Sequence, residues 1–329
     1  MLGQQKREGE VSPLAVGALL YAPANHPTIA DSVTGGAFPA PYSIALCLED
    51  AISDAAVADA ECMAVETIHK IADAARTRTF YKPLLFIRVR SPEQIERLFA
   101  GLQDTGGVLT GFIAPKFSCA NAAAYLAALA RVNAQAERRV YLMPILESQD
   151  LLNLETRRRS LYAIKRQLDE VRPLILNIRV GGNDFCREFG VRRRCDETIY
   201  DIGCVRSILS DIVTCFAPEY VISGPVWEYF YDETDAWRAG LQREVRCDQL
   251  NGFIGKTVIH PNQIAVVNKA LQVTHEDYTD ARNLLDMNGD DGRLVAKSAA
   301  GSRMNERKTH EKWAWKTLAL AEIYGVKQA

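Results

Sequence analysis

Short apolar runs alternate with longer helix-like stretches along nearly the whole chain. Eight of the runs have the length and composition of buried strands, and they cover residues 16–21, 43–48, 84–89, 111–114, 140–146, 174–180, 220–223 and 252–259. The stretches between them show helical spacing and many alanines, as in 55–75, 92–103, 120–136, 202–216 and 235–249. This alternation is typical of βαβ units, which build a parallel sheet.

Eight such units within roughly 260 residues predict an α/β fold of the (β/α)8 TIM-barrel type. A doubly wound open sheet is the alternative, although it gives no reason for eight evenly spaced strands. We predict a polar N-terminal tail over 1–13, the barrel over 14–275, and a linker with a C-terminal helical arm over 276–329. The linker lies within 288–303, which is rich in Gly, Asp and Ser. Because the final helix is too small to form its own core, we expect an oligomer.

Polar and charged side chains follow the predicted strands in a repeated pattern. In chain order the strands run into Pro23, then Glu49 and Asp50, then Arg88 and Arg90, then Lys116, Glu147, Asp184 and finally His260. The active sites of barrel enzymes lie at the carboxyl ends of the strands. We therefore expect these side chains to meet at one end of the barrel.

Two of these residues are carboxylates on neighbouring predicted strands. Glu147 ends the apolar run in VYLMPILESQDL, and Asp184 follows a second run and two glycines in LILNIRVGGNDF. Two adjacent carboxylates repel each other unless a cation lies between them, and Mg²⁺ prefers one or two protein carboxylates. The alternative is that Glu147 caps the following helix and Asp184 supports a turn.

Composition excludes several classes of protein. The net charge of −2 over 329 residues gives no electrostatic footprint for nucleic acid or for an anionic membrane. The chain has no apolar window near the ~18 residues of a membrane span, and its first residues lack the apolar core of a signal peptide. The eight cysteines form no CxxC pair and are expected to be reduced thiols. We expect a soluble, cytoplasmic protein.

Seven motifs, in matching order and spacing, resemble the HpcH/HpaI aldolase and citrate lyase beta subunit family. They are LYAPANHP (20–27), ALCLEDAISDAA (45–56), FIRVR (86–90), FIAPK (112–116), PILES (144–148), VGGNDF (180–185) and GKTVIHPNQIAVVN (255–268). The resemblance implies a barrel that binds Mg²⁺, or Mn²⁺, through Glu147 and Asp184. It also implies that Arg88 grips a substrate carboxylate and that Glu49 and Asp50 hold water near the metal.

The activity implied by this resemblance is Mg²⁺-dependent cleavage or formation of a carbon–carbon bond, of aldol or Claisen type, through a metal-stabilised enolate. The substrate would be a 2-oxo acid or an acyl-coenzyme A thioester such as citryl-CoA or malyl-CoA. A guanidinium beside a divalent cation also suits the carboxylate and keto oxygens of a 2-oxo acid. Alternatives are that Arg88 only pairs with Glu49, that the barrel binds ligands or assembles without turnover, or that it hydrolyses thioesters.

Two departures from the family pattern concern the substrate pocket, to which Pro23, Ala24, Arg88, Arg90 and Lys116 are assigned. Ala24 replaces a common glycine, so its Cβ could narrow the pocket. Arg90 replaces a common Asn, and it could select a more acidic substrate or pair with a carboxylate such as Glu49.

Two further regions are interpreted through the resemblance or through composition. The tail of relatives often packs on a neighbouring subunit and delivers an acidic residue to that subunit's site. Glu306 lies near the matching position, with His310 one turn on, and both are either groups acting in trans or exposed helix residues. We expect a homo-oligomer, a trimer or a hexamer.

The aromatic side chains of Trp227, Tyr229 and Phe230 could form a lid over the site, or they could serve a subunit interface or internal packing.

Overall fold

The computed structural model describes residues 10–287 and 294–328. Within these ranges, eight parallel strands form the barrel: β1 (Ala18–Pro23), β2 (Ser43–Cys47), β3 (Leu84–Arg88), β4 (Leu109–Ala114), β5 (Tyr141–Leu146), β6 (Ile178–Val180), β7 (Ile222–Ser223) and β8 (Lys256–Val258). Each strand from β1 to β6 pairs with the next in the chain, and β1 also pairs with β8. A parallel bridge between Gly224 and Lys256 joins β7 to β8 and completes the circle. The predicted TIM barrel is confirmed.

The helices of the described ranges are α1 (Ile29–Thr34), α2 (Val57–Thr77), α3 (Pro92–Ala100), α4 (Ala122–Asn133), α5 (Leu154–Glu170), α6 (Gly182–Phe189), α7 (Gly203–Phe216), α8 (Ala236–Leu250), α9 (Asn262–Leu271), α10 (His275–Asp286) and α11 (Arg307–Tyr324). All six residues of β5 are buried, because one face meets the surrounding helices and the other faces the barrel interior. Leu19, Phe86, Ile113 and Met143 fill the interior. A filled interior confines ligands to the ends of the strands. None of the described helices is long and apolar enough to cross a membrane.

The sixth strand is shorter than predicted. The prediction places 174–180 in one strand, but the strand covers only Ile178–Val180, and Arg172–Leu174 form a 3-10 turn that contains Pro173. Ile175 is extended and forms an isolated parallel bridge with Leu142 of β5. Asp184 also differs from its predicted position at a strand end, since it lies in the first turn of α6. Gly182 starts this helix where an added Cβ would lie 2.7 Å from Cβ of Pro225.

The C-terminal segment folds back on its own barrel. Helices α10 and α11 pack against each other, and between them β9 (Val295–Lys297) pairs antiparallel with β10 (Met304–Glu306). Part of the predicted linker, 288–293, lies outside the described residues. Its remaining part, 294–303, is not a simple linker, because Asp280 of α10 accepts hydrogen bonds from Ala299 N and Arg303 Nε and ties it down.

The end of α11 is anchored below the barrel. The hydroxyl of Tyr324 donates a hydrogen bond to the carbonyl of Leu14, which precedes β1, at 2.7 Å. The expectation that the arm packs on a neighbouring subunit stays a prediction, as do the predicted domain boundaries.

Candidate active site

A cavity of about 430 Å³ opens where the barrel strands end. Its walls come from the ends of β1, β2, β3, β5, β6 and β8 and from the loops that follow them. The lining residues are Tyr21, Ala22, Pro23, Cys47, Asp50, Ala51, Arg88, Ile145, Glu147, Arg179, Val180, Gly181, Asn183, Asp184, Val226, Thr257 and Ile259. Charged groups of both signs therefore share one cavity with apolar side chains.

Glu147 follows β5 directly and is only 8% exposed. Its Oε1 accepts a hydrogen bond from the backbone N of Lys116 at 2.9 Å. Lys116 has a φ of 48°, and this left-handed conformation accompanies the inward position of its N–H. Gly181 provides room for the carboxylate, because a Cβ at that position would overlap Oε2 of Glu147. The alternative role of Glu147 as a helix cap is wrong, since Asn153 caps α5.

Asp184 reaches Glu147 from the first turn of α6, and their side chains lie within hydrogen-bonding reach. Burial raises the pKa of Glu147 to about 8; Arg88 opposes the increase and the charge of Asp184 adds to it. Asp184 also pairs with Arg187 Nη1 at 3.1 Å. Two adjacent carboxyl groups in a buried site resist double ionisation unless a cation joins them.

The donor set at this point fits a hard divalent cation. Glu147 and Asp184 supply carboxylate oxygens, which Mg²⁺ prefers, and the two side chains lie within hydrogen-bonding reach of each other. Across the described ranges, no group of three or more His, Cys, Asp or Glu side chains is arranged to hold a metal. A cation between these two residues would thus need water or substrate oxygens for its other positions, as is usual for Mg²⁺.

Arg88 is buried beside this pair and meets three carboxylates. Its Nη2 lies 2.6 Å from Glu49 Oε2, 2.9 Å from Asp50 Oδ2 and 3.6 Å from Glu147 Oε1. Its guanidinium also lies over the ring of Tyr21, 5.4 Å from the centroid. Burial alone would lower the pKa of Arg88, but Tyr21 and Glu147 raise it overall, so the guanidinium is charged. The pairing of Arg88 with Glu49 that the sequence left open is present.

Lys116 completes the charged cluster. Its Nζ contacts Glu49 Oε1 and lies 3.6 Å from Asp50 Oδ1. The ends of β2, β3, β4 and β5 thus bring together Glu49, Asp50, Arg88, Lys116 and Glu147. This network fixes the orientation of Arg88 and leaves Asp50 at the cavity wall.

Three residues assigned to the site from the sequence are placed elsewhere. Arg90 turns outward: its Nε donates to the carbonyl of Leu48 at 2.6 Å, and its Nη1 pairs with Asp54. It therefore pairs with Asp54 and not with the Glu49 carboxylate, and it stabilises the loop after β2. Ala24 is buried in the core behind Pro23, which does line the cavity.

Glu306 is the third such residue, and it lies at the start of α11. Its backbone N–H donates to Nδ1 of His310 at 3.0 Å, and Glu306 is not among the cavity-lining residues of its own chain.

The aromatic segment around Trp227 and Phe230 does not form a lid over the cavity. Trp227 is fully buried and packs over Arg193, while Phe230 stacks on His260 with a centroid distance of 4.6 Å.

Sequence reasoning missed Arg179, Tyr21 and Thr257, which line the deep part of the cavity. Arg179 Nη2 donates to Thr257 Oγ1 at 2.5 Å. The sequence feature that points to Arg179 is a single charged residue within the apolar run LILNIRV. Burial of a cation there is energetically unfavourable unless the cation pairs with an anion or has a function.

A family model described as a C-C bond lyase of the TIM-barrel fold matches residues 10–326. The structure is similar to CitE from Mycobacterium tuberculosis in complex with magnesium, acetoacetate and coenzyme A, at 21% identity and a TM-score of 0.60, over 94% of this chain and 99% of that chain. A citrate lyase from Burkholderia xenovorans LB400 matches at 15% identity and a TM-score of 0.67, over 97% of each chain. The citrate lyase beta subunit from M. tuberculosis complexed with oxaloacetate and magnesium matches at 21% identity and a TM-score of 0.51, over 78% of this chain and 98% of that chain. At such identities these structures support the fold, and no curated protein matches the chain.

Proposed function

Because the chain belongs to the C-C bond lyase family of the TIM-barrel fold, we propose that it is an Mg²⁺-dependent lyase, or the reverse condensing enzyme. Its substrate class is a 2-oxo acid or an acyl thioester of coenzyme A. The observation that carries the proposal is the buried pair of Glu147 and Asp184 at the mouth of the barrel, beside a charged Arg88. Relatives solved with magnesium and acetoacetate, coenzyme A or oxaloacetate support this choice of metal and substrate.

Each residue has a distinct task in this proposal. Glu147 and Asp184 would hold Mg²⁺, or Mn²⁺, which when bound supplies Lewis-acid stabilisation of the negative charge that develops on a carbonyl oxygen. Arg88 orients the substrate carboxylate, and Glu49 and Lys116 hold Arg88 in place. Asp50 faces the cavity and can hold a water molecule. Ile145 and Val226 contribute apolar wall, which lowers the local polarity and so strengthens these electrostatic contacts.

The experiment that tests the proposal measures metal binding and turnover separately. Calorimetry of Glu147→Ala and Asp184→Ala should show loss of Mg²⁺ binding with an unchanged circular dichroism spectrum, because each variant removes one of the two anionic ligands. Glu188→Ala is the matched control: it lies on the same helix as Asp184 and pairs with Arg187 outside the cavity. Unchanged Mg²⁺ affinity in both site variants would overturn the metal site.

Turnover is then assayed with the wild-type protein and Mg²⁺. A panel of aldol substrates and of thioesters such as citryl-CoA and malyl-CoA is screened for release of pyruvate, oxaloacetate or glyoxylate. Release from at least one substrate, abolished by Asp184→Ala, supports the lyase. Metal binding without release from any of them would favour a ligand-binding barrel.

We also propose that the protein acts in the cytoplasm as a homo-oligomer. The eight cysteines are all free thiols, which suits a reducing compartment. An oligomer would provide a neighbouring subunit to which the α10 and α11 arm could present Glu306.

A further inference from the structure

Arg179 is a buried cation at the cavity whose guanidinium is only partly satisfied. It lies in the middle of β6 and is 1% exposed. Its Nη2 donates to Thr257 Oγ1, whereas its Nε and Nη1 have no hydrogen-bond partner in the described structure. Because arginine stays protonated even when buried, its Nε and Nη1 are two unused donors beside the cavity.

The neighbouring cations differ from Arg179 in their partners. Arg88 meets Glu49, Asp50 and Glu147, and Lys116 meets Glu49. Within residues 10–287 and 294–328, no carboxylate lies within ion-pairing distance of Arg179. Burial of a charge without a counterion is unfavourable, so an anion that enters the cavity gains a strong contact at Arg179.

Two hydroxyl groups lie next to this guanidinium. Thr257 Oγ1 accepts the bond from Arg179, so its own proton remains available for donation. The phenol of Tyr21 lies within hydrogen-bonding reach of Arg179. Arg179 pairs in register with Ile145 of β5, two residues before Glu147, so Arg179 lies deeper in the barrel than Glu147.

We infer that Arg179, with the hydroxyls of Thr257 and Tyr21, binds a second carboxylate of the substrate, and that the enzyme therefore prefers a dicarboxylic 2-oxo acid over a monocarboxylic one. This inference rests on the proposed function, which places the 2-oxo acid end of the substrate at Glu147, Asp184 and Arg88. The second carboxylate then points down the cavity. Charge-assisted bonds from a buried guanidinium are stronger than neutral ones, which makes Arg179 a specificity residue.

The test compares ligands that differ only in the second carboxylate. Calorimetry of the full chain with Mg²⁺ measures the affinity for oxaloacetate and for 2-oxobutyrate, in which a methyl group replaces that carboxylate. The wild type should prefer oxaloacetate by roughly 10- to 100-fold. Arg179→Met keeps the length of the side chain and removes the charge, so the preference should fall to within about threefold while the affinities for 2-oxobutyrate and Mg²⁺ stay unchanged.

Three controls separate recognition from a structural role. Arg192→Met removes an exposed arginine outside the cavity and should keep the preference. Arg179→Lys keeps a cation and should retain part of the preference for oxaloacetate. The melting temperature of Arg179→Met should equal or exceed that of the wild type, because an unpaired buried charge is removed. The inference would be overturned if Arg179→Met kept the preference for oxaloacetate, or if it lost the same amount of affinity for oxaloacetate and for 2-oxobutyrate.

A metal-free measurement distinguishes this failure from failure of the proposed function. Succinate and butyrate form a similar pair that does not need Mg²⁺. If Mg²⁺ does not bind, the lyase proposal fails, yet a wild-type preference for succinate that Arg179→Met removes would still support the anion subsite. If Mg²⁺ binds but Arg179→Met leaves both preferences intact, only the subsite is wrong.

Discussion

At the scale of single residues, Glu147 is where burial and charge oppose each other most directly. Its carboxyl lies between Arg88, which favours the ionised form, and Asp184, which disfavours it. Burial has the largest effect and raises the pKa of Glu147 to about 8, so this carboxyl holds a proton at neutral pH. A divalent cation would displace this proton, because metal ligands must be deprotonated.

The raised pKa predicts how stability depends on pH in the metal-free protein. A carboxyl whose pKa is higher in the folded state stabilises the fold fully below its unfolded pKa, about 4.5, and loses this contribution as the pH rises through about 8. Glu147→Gln removes the titration, so its free energy of unfolding relative to wild type should increase between pH 5 and pH 8, by on the order of 1–4 kcal/mol.

Urea unfolding in the presence of a chelator measures this difference at each pH. The control is Glu188→Gln, whose curve should run parallel to that of the wild type. Addition of Mg²⁺ should reverse the trend for the wild type alone, since the cation stabilises the ionised pair. Parallel curves for Glu147→Gln and wild type would show that Glu147 titrates normally.

At the scale of elements, β8 is held to α8 by a buried charge network. Lys256 Nζ contacts Glu244 Oε1 at 2.8 Å and Asp248 Oδ2 at 2.7 Å, and all three side chains are fully or almost fully buried. Arg193 and Tyr200 hold the remaining oxygens of the two carboxylates. Burial raises the pKa of Asp248 to about 6 even beside Lys256. The network fixes β8 to α8 next to β7, which is the shortest strand of the barrel.

Removing the central cation should therefore be costly. Lys256→Met leaves Glu244 and Asp248 buried with one cation fewer, and the loss of unfolding free energy should be about 3–5 kcal/mol. Lys70→Met is the matched control, because Lys70 pairs with Glu66 on the surface of α2 and its loss should cost no more than about 0.5 kcal/mol. Chemical denaturation of both variants gives the comparison. Equal losses would mean that the buried network adds little stability.

The elements were largely predictable because a parallel barrel buries its strands on both faces. Continuous apolar runs such as 140–146 then mark strands, and alanine-rich stretches mark helices. Helix α6 was not predicted, since two glycines suggest a turn and only the close approach of Pro225 explains why glycine starts a helix there. The β9 and β10 hairpin was not predicted either, because it depends on contacts with Asp280 across a long separation in sequence.

The site was predictable where strand ends converge and less so beyond them. Glu147, Asp184, Arg88 and Lys116 meet as expected, because parallel strands end at one rim. Arg88 and Arg90 are two residues apart, so in a continuous strand both side chains would face the cavity. Strand β3 ends at Arg88, and Arg90 is therefore free to turn outward. Arg179 was not predicted as a site residue, because a charged side chain in a buried strand can face either side of that strand. Only the structure shows that it faces the cavity.

At the scale of the whole molecule, the length of α11 sets how far Glu306 lies from the point where this helix contacts the barrel. Tyr324 fixes the last turn of α11 beneath the barrel, and Glu306 lies at the other end of this 18-residue helix, about 27 Å away. Near Glu306, Arg307 Nη1 donates to the carbonyl of Leu284 and holds the end of α10 against the start of α11. This geometry presents Glu306 at the tip of a helical pair. A role for Glu306 in catalysis then requires a neighbouring subunit.

Subunit mixing tests that role. If Glu306 acts in trans, Glu306→Ala and Asp184→Ala should each be inactive alone, because one lacks the acid at the tip and the other lacks one of the two proposed metal ligands. When the two are unfolded, mixed in equal amounts and refolded together, about a quarter of the sites should combine an intact barrel with an intact neighbouring arm. The regained activity in the assay with the best substrate should approach that fraction of the wild-type value. Full activity of Glu306→Ala alone would show that the residue is an exposed helix position, and no recovery in the mixture would exclude a contribution across subunits.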